Sequence, residues 1–169
     1  MKELIFTRGF LPAIDTHGHR ESMVDGEYRA TLAEHADRVF RLSDALHRQL
    51  GVGPTDRFAV MALNGHQFEE LYHAAFMGAG VINPLNLRLA GKELDYIIRD
   101  SGTEVIFVDA FFAPLIDQAL GGASDNPLRH VVLIGDGDVP HDLEYEDLLA
   151  AAEPTPPPEP DEDSPVVLM

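Results

Sequence analysis

The chain has 169 residues, no cysteine, 29 acidic side chains against 12 Lys and Arg, and a formal net charge of −17. The missing cysteines exclude a disulfide framework, a thiolate zinc site and a Cys nucleophile, and the charge opposes any docking on nucleic acid or an anionic membrane. The length allows a core of ordinary size, with roughly 70% of the unfolded surface buried; no apolar run reaches membrane-span length and no signal-peptide pattern opens the chain, so a cytoplasmic protein is expected.

Residues 1–20 give weak signals. Glu21 to Val24 and Tyr28 to Ala30 read as two short strands around the turn pair Asp25-Gly26. Thr31 then opens a helix. Thr31 and Glu34 have capping-box spacing, in which each side chain reaches the other residue's backbone N–H. Leu32, Ala36, Val39, Phe40, Ser43, Leu46 and Leu50 follow at helical spacing. On the far face, Glu34–Arg38, Asp37–Arg41 and Asp44–Arg48 each place an acid four residues before its base. Gly51, Gly53 and Pro54 stop the helix.

From there strands and helices alternate. The expected strands are Phe58 to Leu63, Gly80 to Asn83, Val105 to Val108 and His130 to Ile134. The expected helices are His66 to Gly78, Gly91 to Asp100, Phe111 to Leu120 and Leu143 to Ala151. Short buried strands between amphipathic helices imply a mainly parallel sheet in an α/β fold, with helices on both faces. Residues 136–169 carry 11 acids and no Lys or Arg. Within them, Pro154, Pro156, Pro157, Pro158 and Pro160 make a stiff, solvated linker over 152–164. The chain closes on "DSPVVLM", whose Val166, Val167, Leu168 and Met169 read as a strand buried on both faces.

Several stretches mimic sites. Gly78-Ala79-Gly80 is a fragment of a dinucleotide loop, but such a loop must follow a strand and open a helix. Here the glycines close a helix and precede a strand, which makes them a C-cap. Gly135-Asp136-Gly137-Asp138 follows a strand without completing a phosphate-loop pattern, and reads as a turn. His17 and His19 lack the companion ligands a metal needs. His66 and His73 share a helix face without a sequence partner and read as rim residues. Asp95 and Asp100 lie on a solvated helix and make a poor acid/base pair. Lys2 and Lys92 are the only lysines, and neither sits in a phosphate loop. On these grounds two readings stand: a small acidic interaction module, or part of an enzyme whose catalytic residues lie elsewhere.

Three stretches favour the second. "ATLAEHADRVFRLSDALHRQLGVGPTDRFAVMALN" (30–64) resembles the opening of the AMP-forming acyl-CoA synthetases of the adenylate-forming superfamily. "FEELYHAAFMGAGVINPLNLRL" (68–89) and "ELDYIIRDSGTEVIFVD" (93–109) resemble the segments that follow it there. The resemblance implies the first sub-domain of that family's N-terminal domain over 1–151, a linker over 152–164, and at 165–169 the strand that leads to the ATP phosphate loop. It implies a parent ligase that uses ATP and Mg²⁺ to convert a carboxylic acid, expected to be a fatty acid, to acyl-AMP, and then acylates CoA. An acyl-AMP ligase with another acceptor is the alternative within the family. No catalytic residue, metal ligand or cofactor is expected within the 169 residues. Arg88 alone carries a family role, a contact to the nucleotide phosphates of CoA. It keeps its register although Leu87 replaces the family's frequent Pro. The chain alone is expected to be inactive and to self-associate through an exposed sheet edge.

Overall fold

The computed structural model describes residues 5–89, 91–121, 123–157 and 159–169. Its frame is a five-stranded parallel sheet built from β3 (Arg57–Met61), β4 (Val81–Pro84), β5 (Val105–Asp109), β6 (His130–Ile134) and β7 (Leu143–Glu144). The strand order is β4-β3-β5-β6-β7. Phe58 lies opposite both Ile82 and Val105, and Phe107 lies opposite Val132. The α/β class and the parallel sheet are as expected.

Side chains alternate across a strand, so the sheet feeds two cores. Phe58, Val60, Phe107 and Val132 point to one face. They pack there with α1 (Phe6–His17), α2 (Leu32–Arg48), α3 (His66–Phe76) and α6 (Tyr145–Ala150). Ala59, Met61, Ile106, Val108 and Leu133 point to the other, under α4 (Lys92–Ser101) and α5 (Ala113–Ile116). Phe58, Met61 and Phe107 are fully buried, each worth about 1.5–3 kcal/mol of transfer free energy.

A hairpin of β1 (Glu21–Asp25) and β2 (Tyr28–Thr31) forms as expected, but its turn pair is Gly26-Glu27 and not Asp25-Gly26, because Asp25 is still paired with Tyr28. Thr31 caps α2 with both halves of the capping box formed. Helix α3 ends at Phe76, two residues before Gly78, and Gly80 lets the chain turn into β4. Gly80 has φ +149°, and a Cβ there would lie 2.9 Å from Val52 Cγ1. Among the described residues no helix is long and apolar enough to cross a membrane.

Five further expectations need correction. Helix α1 arises within the stretch that gave weak signals, despite Pro12 inside it; Phe6, Phe10 and Ile14 form its inner stripe. The helix expected over 111–120 is a single α-turn, α5, followed by a π-helical turn over Asp117–Gly121. Leu143 and Glu144 pair with β6, so α6 begins only at Tyr145. Glu34 does not pair with Arg38, because its carboxylate accepts the Thr31 N–H at 2.8 Å and Arg38 turns to Glu70 and Glu146. The terminal strand is not buried on both faces. It meets the sheet at one parallel bridge, Ile82 with Val167, on the outer edge of β4. Leu168 is 38% exposed, and Met169 is fully exposed.

The acidic stretch leading to that bridge lies against the helices. Arg41 donates to the Ala152 carbonyl at 2.6 Å, and the Glu153 N–H donates to Asp44 at 3.2 Å. Glu159 pairs with Arg8 of α1 at 2.8 Å, and Pro160 fills the space where a Cβ on Gly78 would stand, 3.0 Å from it.

Candidate functional site

In an open parallel sheet ligands gather beyond the carboxyl ends of the strands, where the strand order reverses. The order β4-β3-β5-β6-β7 reverses between β3 and β5. Three loops converge at that end of the sheet: residues 62–65 after β3, 85–89 after β4, and 110–112 after β5. Leu63 is 55% exposed and Phe111 is 78% exposed there, which gives the rim two apolar side chains without cover. The Phe111 N–H donates to Asp109 Oδ1 at 2.8 Å, which fixes the turn that presents the ring.

Arg88 stands on the loop after β4. Its backbone N–H donates to Asn86 Oδ1 at 3.0 Å, so the loop is a local turn with its own side-chain brace. The residue is exposed, and its guanidinium has no acidic partner among the described residues. A braced loop with an uncommitted fork of donors suits an anionic ligand. Lys92 opens the next helix four residues on and is exposed as well.

The N-terminus of α3, beside the same switch point, is closed to anions. Asp25 of the hairpin reaches it, and its Oδ2 accepts the His66 N–H at 3.0 Å. The same oxygen lies 3.0 Å from His66 Nδ1, and the imidazole stacks on Tyr28 at 3.8 Å between ring centres. The hydrogen bonds from His66, side chain first, hold the Asp25 carboxyl below the usual carboxylate range. A carboxylate already occupies the place where a phosphate would dock.

The two histidines of α3 therefore have partners, and both come from other elements. His73 Nδ1 lies 2.7 Å from His35 Nε2 of α2, and His73 Nε2 lies 3.2 Å from Glu69. His17 and His19 stay exposed, and the described residues hold no group of three or more His, Asp or Glu that could bind a metal. Asp95 is tied to Arg99 at 2.7 Å. Gly135 turns the chain out of β6 with φ +79°. Lys2 lies outside the described residues.

Sequence reasoning missed a buried cluster behind the site. Glu70 is fully buried and meets Arg38 at 2.7 and 3.2 Å, while Tyr145 donates its hydroxyl to Glu70 at 2.7 Å. Arg38 continues to Glu146 at 2.8 and 2.9 Å. Burial opposes the Arg38 charge, but the hydrogen bonds it donates to Glu146 and Glu70 overcome this and hold the guanidinium protonated. This cluster joins α2, α3 and α6 and is structural. Its sequence signal is slight: a Glu at an inward position of α3, one turn after Gln67.

Residues 11–169 match the family described as AMP-binding enzyme. A peroxisomal butyrate–CoA ligase of Arabidopsis thaliana is 31% identical over 152 residues, which cover 85% of this chain and 26% of that protein. A long-chain-fatty-acid–CoA ligase of Mycobacterium tuberculosis is 35% identical over 101 residues, 60% of this chain and 20% of that one. The N-terminal domain of FACL13 from Mycobacterium tuberculosis superposes with a TM-score of 0.82 at 25% identity, covering 95% of this chain and 39% of that one. The chain thus spans about a quarter of the length of the curated relatives it matches. By its match from residue 11 to residue 169 and by its sheet, the chain belongs to the AMP-binding enzyme family and corresponds to the N-terminal part of its members.

Proposed function

We propose that this chain is the N-terminal part of a ligase that joins a carboxylic acid to CoA through an acyl-AMP. The carboxylate displaces pyrophosphate from ATP, and the CoA thiol then displaces AMP from the mixed anhydride. The family match over residues 11–169 carries this reading. A fatty acid is the preferred substrate, supported by the likeness to a long-chain-fatty-acid–CoA ligase and to the FACL13 domain. Relatives named for butyrate and benzoate are the competing substrate classes.

Within this chain the part assigned to the reaction is binding. Arg88, exposed on its braced loop at the carboxyl end of the sheet, meets a phosphate of CoA. ATP supplies the activating adenylyl group, and Mg²⁺ would neutralise the phosphate oxygens. The described residues present no cluster that fits the metal. None of them forms a phosphate cradle either, and the 169-residue chain by itself is inactive in this reading.

The test uses a polypeptide that carries the full length of these relatives, beside the 169-residue chain. Pyrophosphate release with ATP, Mg²⁺ and a panel from acetate through benzoate to palmitate should appear only in the longer protein and be fastest with a fatty acid. Arg88→Ala should raise the KM for CoA roughly 10- to 150-fold, the worth of one charge-assisted contact, and leave the adenylation half-reaction unchanged. Equal loss in both half-reactions would make Arg88 structural. Sustained turnover by the repurified short chain would refute the assignment of chemistry to other parts of the protein.

A further inference from the structure

Helix α1 lies on α2 and α3 through rings. Phe6 stacks near His73 and Phe76, with centroids 4.9 and 5.5 Å apart, and Phe10 approaches His73 at 5.4 Å and His35 at 6.3 Å, the last edge-on. The two imidazoles beneath meet at 2.7 Å. His35 is 2% exposed, and its Nδ1 is buried without a partner among the described residues. Only one arrangement of protons suits these contacts. His35 Nε2–H donates to His73 Nδ1, and His73 Nε2–H donates to Glu69 at 3.2 Å. The reverse arrangement would turn a lone pair of His73 toward the Glu69 carboxylate and bury an N–H of His35 with no acceptor. In the favoured one both rings are neutral, and a further proton has to go to His35 Nδ1, where nothing accepts a hydrogen bond.

We propose that the His35–His73 pair is an acid-operated latch: neutral, it seats α1 on the α2–α3 surface, and protonated, it releases α1 and uncovers Phe6, Phe10 and Phe76. This goes beyond the ligase reading and does not depend on it.

The surroundings resist charge at the pair. From α2, Arg38 faces it and repels a second positive charge; from α3, His66 does the same, and Glu70 is already committed to Arg38. Glu69 at the mouth of α3 alone favours charge, and it stands half-exposed beside His73. Helix α1 brings the Phe6 and Phe10 rings and the buried Thr7 hydroxyl, while Asp15 is exposed and Arg8 pairs with Glu159. Burial first, then the positive neighbours His73 and Arg38, push the His35 imidazole down to about 4, and burial lowers His73 as well. A histidine whose value falls on docking stabilises the docked state above its free value near 6.5 and loses that contribution as pH falls toward the docked value. For His35 alone the equilibrium shifts about 30-fold toward release between pH 7.5 and pH 5. His73 adds in the same direction.

The chain has no cysteine, so Asp15→Cys provides a single attachment point for a nitroxide on the exposed side of α1. The label should change from immobile to mobile between pH 7 and pH 4.5, while the far-ultraviolet circular dichroism of the sheet persists. In the H35F/H73F background, where the rings still stack but take up no proton, the label should stay immobile over that range. An immobile label down to the pH of global unfolding overturns the latch, and so does an unchanged midpoint in H35F/H73F. If that double variant does not fold, imidazole ¹⁵N shifts of the otherwise unsubstituted chain decide. Both rings should stay neutral while α1 is docked and take up protons at the label's midpoint; protonation with α1 still docked, or release with both rings neutral, overturns it.

Discussion

Removal of the Arg38 guanidinium should test how the three helices on one face are joined. Arg38→Met keeps most of the side-chain stem and deletes the charge. Glu70, fully buried, then retains only the Tyr145 hydroxyl as partner, and Glu146 loses two hydrogen bonds at the edge. Breaking a buried pair by removing one partner costs about 3–5 kcal/mol, because the surviving charge stays buried. The exposed Glu146 contacts add under about 1 kcal/mol. With a urea slope of roughly 2 kcal/mol per molar, the midpoint should fall by about 2 M, and Tm by about 10 °C. The triple change Arg38→Met, Glu70→Leu, Tyr145→Phe removes every member that would be left unpaired. It should recover most of the loss, since apolar groups of similar volume replace a buried ion pair nearly neutrally. Urea titration followed by circular dichroism measures both. If the triple variant is as unstable as Arg38→Met or worse, the penalty does not come from a stranded carboxylate, and the account of this cluster is wrong.

Asp25→Ala should weaken the hairpin's hold on α3 by about 1 kcal/mol, the usual worth of a side-chain acceptor at a helix N-terminus, read from thermal melts at pH 7. In the parent, this contribution is present above the ordinary Asp value of 3.8 and fades as pH falls through the lower folded value, so the difference between the two proteins should shrink in acid. Gly80→Ala should cost about 1–3 kcal/mol in urea, since a methyl group would meet Val52 at 2.9 Å on a backbone with positive φ; an unchanged midpoint would show that the β3–β4 crossover relaxes freely. The outer edge of β4 is covered at a single bridge, so mass by light scattering should rise with concentration, and more so in high salt, where the charge of −17 is screened; a constant monomer mass refutes this.

The parallel sheet could be read from the sequence because its strands are short apolar runs bounded by glycine and proline. The Thr31 cap and the closure of α3 just before the Gly78-Ala79-Gly80 stretch also follow from local chemistry. What escaped was non-local. His66 and His73 have partners 41 and 38 positions away, and no sequence spacing announces either pair. Arg38 had an acid at the favourable spacing of four and still chose Glu70, because a buried carboxylate gains more from it than an exposed one. Helix α1 did leave a trace, the four-residue spacing of Phe6, Phe10 and Ile14, which Gly9 and Pro12 obscured. Arg88 was singled out by resemblance alone; nothing in its local pattern separates it from an ordinary surface arginine.

The bridge between Ile82 and Val167 joins positions about 85 residues apart along the chain. To form it, the segment after α6 must first traverse α2, reach Arg8 of α1, and pass Gly78. Contacts of such long range close late, after shorter loops have already lost their entropy. The pairs among β3 to β6 join positions only about 24 to 47 residues apart. During synthesis the inner sheet can therefore assemble while the outer edge of β4 waits for its last neighbour, and the order of folding runs from the middle of the sheet outward.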